Sequence, residues 1–64
     1  MDKSEVKLMV WGRIKAAEME LDGAAAMLGE HEFGTALGHL AMGIKEIERA
    51  TVLMTEHLTQ KRPA

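Results

Sequence analysis

Apolar residues recur at alternating steps of four and three along nearly the whole chain, and this spacing constrains the fold more than any other feature. In the first half the row is Val10, Ile14, Ala17, Leu21, Ala24 and Leu28. In the second half it is Phe33, Leu37, Leu40, Ile44, Ile47, Thr51, Met54 and Leu58. Steps of four and three hold side chains on one stripe of an α-helix, whereas a half-buried strand alternates at every second residue. No segment alternates in that way. Such rows are heptad seams, suited to helices packed at shallow angles. The expected fold is all-α.

One break interrupts the rhythm, between Gly29 and Gly34. Gly29 stands where a helix C-terminal glycine belongs. At the start, Asp2 followed by Glu5 resembles a capping box with Asp in place of Ser or Thr. Glu30 and Glu32 suit the positive N-terminus of a second helix, and Lys61 and Arg62 suit its C-terminus ahead of Pro63. These signals predict a first helix over about 3–29 and a second over about 33–60. Each rod is then about 40 Å long, and the short turn makes the two antiparallel neighbours. Residues 1–64 form one domain.

A hairpin of 64 residues is too small to bury a secure core alone. Small domains add disulfides, a metal or a partner chain, and this chain has no cysteine. Beside the seam of the second helix lie Gly34, Ala36, Ala41, Gly43 and Ala50, so its apolar stripe is broad enough for more than one neighbour. Gly38 and Gly43 each cost about 1 kcal/mol against alanine inside a helix, which calls for a packing reason. The first helix carries a second row opposite its seam, Met9, Gly12, Ala16, Met19, Gly23 and Ala26. The expected solution is a homodimeric four-helix bundle, with a tetramer as the alternative. Its self-association core is Val10, Ile14, Leu21, Leu28, Phe33, Leu37, Leu40, Ile44, Ile47, Met54 and Leu58.

Charge selects the arrangement. Residues 1–15 carry a net +2 and residues 51–64 a net +1, and in a hairpin these segments share the open end. Residues 16–34, which lead into the turn, carry −5. Exposed ion pairs are individually weak, about 0–1 kcal/mol. They still discriminate between packings of equal area, and head-to-tail stacking sets basic ends beside acidic ones.

Little in the chain points to chemistry. There is no cysteine nucleophile and no tyrosine, and Ser4 is the single serine, at a helix start. The glycines do not form a phosphate-binding loop. His31, His39 and His57 are widely separated and lack the Glu-x-x-His spacing of carboxylate-bridged metal bundles, so they are expected on the solvated surface. Met9, Met19, Met27, Met42 and Met54 are dispersed as packing residues would be. The expectation is a non-enzyme with no catalytic residue, metal or cofactor.

In length, turn position and heptads the chain resembles the Rop class of plasmid copy-number regulators, short hairpins that form antiparallel four-helix dimers. The resemblance implies an RNA-binding regulator as the alternative function. Lys3, Lys7, Arg13, Lys15, Lys61 and Arg62 would have to supply the basic surface that RNA requires. A net charge of −2 argues against that, and favours a small homo-oligomeric adaptor or regulator working through another protein. Its candidate partner surface is Leu8, Met9, Trp11, Gly12 and Met19, with Trp11 either an interface anchor or bundle core. No apolar run approaches the roughly 20 residues of a membrane span. Leu8 to Trp11 is too short for a secretion signal, and the acidic residues disfavour a membrane-surface helix. A cytoplasmic location is expected.

Overall fold

A computed structural model describes residues 2–60. It contains two helices, α1 (Lys3–Gly29) and α2 (Phe33–Gln60), packed side by side as an antiparallel hairpin. The rod measures 52 × 18 × 10 Å. Both helix spans match those expected from the sequence. Lys61, Arg62 and Pro63, expected at the end of the second helix, lie outside the described residues.

The ends of α1 are set by local chemistry. The Asp2 carboxylate accepts from the backbone N–H of Glu5 at 2.9 Å, pairing a donor that the first turn would otherwise leave unsatisfied. At the other end the Glu32 N–H donates to Met27 O at 2.8 Å, and the His31 N–H donates to Leu28 O at 3.0 Å. These two bonds make a Schellman turn. Its left-handed residue is His31, with φ 62°, and not Gly29. The expectation for Gly29 is corrected here: it is the last helical residue, two positions short of the place where a glycine relieves strain. The rings of His31 and Phe33 stand nearly perpendicular, with centroids 6.1 Å apart.

The contact between the helices is built from small residues. Its buried members are Val6, Val10, Ala17 and Ala24 on α1 and Ala36, Gly43 and Ala50 on α2. From Val10 and from Ala36 the members recur every seventh residue, so each row forms a straight seam. Val6 and Val10 pack on Ala50, with Leu53 against them. At Gly43 an added methyl would meet Glu20 Cβ at 3.7 Å and Ala17 O at 3.8 Å, ordinary contact distances. Gly43 is therefore part of the close approach, although the space would also take alanine. A methyl added at Gly38 would have nothing within 4 Å, so the hairpin itself gives no packing reason for that glycine.

This arrangement settles which edge of each apolar stripe faces the other helix. On α2 the large residues of the heptad row do not face α1. Leu37 is 67% exposed, Leu58 65% and Phe33 62%. The shoulder row of Ala36, Gly43 and Ala50 makes the contact in their place. On α1 the seam divides: Val10, Ala17 and Ala24 are buried, while Ile14, Leu21 and Leu28 stay exposed. The physical reason is distance. Backbones approach closest where side chains are smallest, and bulky neighbours then have room only beside the contact line.

Substitutions at two positions test these assignments. His31→Gly removes a left-handed cost of about 1–2 kcal/mol and gives up the ring contact with Phe33, worth about 0.5–1.5 kcal/mol. A small net rise in melting temperature is expected by circular dichroism; a fall would contradict the assignment of strain to His31. Gly43→Ala is expected to add about 1 kcal/mol through helix propensity, whereas Gly43→Leu should destabilise the hairpin by overpacking.

Candidate interaction surface

The hairpin has two broad faces, and they differ in chemistry. The first is crossed by polar links between the helices. The Arg13 Nη1 donates to Glu46 Oε2 at 3.0 Å, and the side chain of Glu46 is 19% exposed. His39 Nδ1 lies 2.7 Å from Glu20 Oε1. A carboxylate only accepts, so this bond places the ring proton on Nδ1. Gly23 makes room for the imidazole: a methyl there would stand 3.0 Å from His39 Cε1. His39 is thus half-buried, as is His57 in the groove at the open end, contrary to the expectation of solvated histidines, while His31 is exposed. Shallow depressions on this side are lined by Leu8, Met9, Gly12 and Ala16, and by Met9, Arg49, Val52 and Leu53.

The opposite face is mainly apolar, with Lys3, Lys7 and His57 at its open end. At the open end a groove of about 620 Å³ is lined by Val10, Trp11, Ile14, Met54 and Leu58, with Lys3 and Lys7 also contributing. Toward the turn, a smaller groove of about 260 Å³ is lined by Leu21, Ala24, Ala25, Leu28, Ala36 and Leu40. The rows Phe33–Leu40–Ile47 and Leu37–Ile44–Thr51 continue the surface by heptad phase, lying to one side of buried Ala36, Gly43 and Ala50. The only polar member of those rows, Thr51, satisfies its hydroxyl by donating to Ile47 O at 2.9 Å.

The residues singled out from the sequence are distributed as follows. Of the eleven in the expected self-association core, Val10 is buried inside the hairpin and the other ten are exposed large hydrophobics in the rows and grooves of this face. The candidate partner surface is divided. Leu8, Met9 and Gly12 line a depression on the polar-linked side, whereas Trp11 lies at the edge of the apolar groove. Met19 is exposed and lines neither. Lys15 Nζ stands 5.8 Å from the Trp11 ring centroid and 3.4 Å from Glu18 Oε2. Val6, Leu53 and the Arg13–Glu46 and Glu20–His39 pairs were not foreseen. Val6 continues the four-residue step back from Val10, a signal that was available. The pairs depend on the register between helices, which one-dimensional spacing does not carry.

Among the described residues no three His, Asp or Glu side chains gather in a metal-holding group. No helix of the described residues is long and apolar enough to cross a membrane. No family model, curated protein or solved structure matches the chain.

The polar links are accessible enough to contribute little to stability. Arg13→Met should cost under about 1 kcal/mol in urea unfolding. A loss of several kcal/mol would instead mark the pair as a fixed element of the hairpin.

Proposed function

We propose that the chain is a non-catalytic helical adaptor or regulator that works as a homodimer, two hairpins burying their apolar faces against each other in a four-helix bundle. One observation carries this reading: eleven of the sixteen exposed large hydrophobics, drawn from both helices, are gathered on one face. Among the described residues no large side chain is fully buried. A soluble monomer rarely displays a continuous apolar surface of that extent. A second copy presents the same surface and covers it by two-fold symmetry.

Dimerisation would leave the polar-linked side outward, with Leu8, Met9, Met19, Met42 and Val52 exposed on the hairpin. That side is then where a partner protein would bind, and Trp11 belongs to the edge of the dimer contact. The RNA-binding alternative gains little support from the ion pairs. Arg13 is tied to Glu46 and Lys15 to Glu18, so two of the basic residues that would contact phosphate are already engaged.

Light scattering after size exclusion should give a mass of about 14 kDa, twice the 7.1 kDa chain, with high helicity. Leu40→Glu combined with Ile44→Glu should abolish that dimer and most of the helicity, because the lone hairpin is marginal. Val52→Glu, on the other side, should leave the mass unchanged. Equal effects from the two would sink the assignment of the faces. A steeply salt-dependent shift of labelled RNA would favour the rival reading.

A further inference from the structure

We propose that the groove at the open end receives the turn end of a second copy, so that the hairpins stack head to tail. This rests on the dimer reading above and adds to it an orientation and a pair of docking sites.

Charge is the first support. Lys3 and Lys7 line the open-end groove. Glu30 and Glu32 are exposed at the turn, at the far end of the rod. Head-to-tail stacking sets the lysines of each copy near the glutamates of the other, at both ends. Stacking in the same direction sets lysine beside lysine and glutamate beside glutamate.

Shape is the second, independent support. The two grooves of the apolar face are unequal, about 620 Å³ at the open end and about 260 Å³ toward the turn. Same-direction stacking sets each groove against its own copy. Head-to-tail stacking sets the larger groove of each copy over the smaller groove of the other, with the bulky Leu21 and Leu28 that line it. The midpoint of α1 (Lys3–Gly29) is Ala16. Across a two-fold at that level, Trp11 lies opposite the partner's Leu21, beside the groove floored by the partner's Ala24 and the partner's Ala25. The larger groove, between Trp11 and Leu58, then lies over the partner's Leu28 and the partner's Phe33. Phe33 is 62% exposed on the hairpin and needs such a cover.

Spin labels decide the orientation. Ser4 is exposed at the start of α1, and Ser4→Cys introduces the only cysteine of the chain. Head-to-tail stacking separates the two labels by about 40 Å, the length of α1. Same-direction stacking brings them within about 25 Å, the width of a bundle. A long distance is expected by pulsed dipolar spectroscopy. A short one, in a sample that light scattering shows to be dimeric, overturns the orientation and leaves the dimer standing. A monomeric mass for the unmodified chain overturns both. Charge reversal gives a second readout. Lys3→Glu with Lys7→Glu should weaken the dimer about tenfold at low salt. Adding Glu30→Lys and Glu32→Lys to the same chain should restore it. No weakening from the first pair would overturn the ionic part of the docking.

Discussion

The close approach of α1 and α2 along a line of alanines and one glycine determines where every other side chain can go. Ala17, Ala24, Ala36, Gly43 and Ala50 offer no bulk to hold the backbones apart. Two helices in such contact have no space between them for Leu, Ile or Phe. The large residues therefore line up beside the contact, and the heptad phase puts nearly all of those on α2 to one side. The other side carries Arg13, Glu20, His39 and Glu46, whose two cross-helix bonds oppose rotation of either rod about its axis. A hairpin built this way leaves its large side chains poorly covered.

Much of this was legible in the sequence, for reasons specific to particular residues. The helix boundaries followed from the break in apolar rhythm and from Asp2, a side chain whose capping role depends only on its neighbours three residues on. The turn was placed correctly but its mechanism was not. Gly29 looked like the left-handed residue because glycine is favoured there, yet the Schellman geometry counts from the last helical carbonyls and lands on His31. On α2 periodicity gives the stripe and not the direction of the neighbour. A stripe two rows wide can turn either edge toward α1, and backbone distance, which spacing does not encode, selects the edge with alanine and glycine.

The candidate partner surface failed to gather for a related reason. Leu8, Met9, Trp11, Gly12 and Met19 are close in sequence, but at about 100° per residue neighbours in sequence point in different directions. Trp11 falls toward the apolar face and Met9 toward the polar-linked one. Grouping by heptad phase separates them. Ten of the eleven self-association residues share a phase and an exposed face that no other part of the described residues covers.

Under the proposed dimer, folding and association become one equilibrium. The hairpin carries local costs that a longer-lived monomer would not favour: a left-handed His31, and Gly23 and Gly43 inside helices. Each subtracts about 1 kcal/mol from a two-helix unit whose buried residues are mostly small. Apolar surface covered by a second copy would offset those costs, and it does so only when that copy is present. Stability then depends on protomer concentration by mass action. A chain with these properties is folded in proportion to its own abundance. Its outward face, with Met9 and Val52, would be presented as a rigid surface only above the concentration at which the hairpins pair.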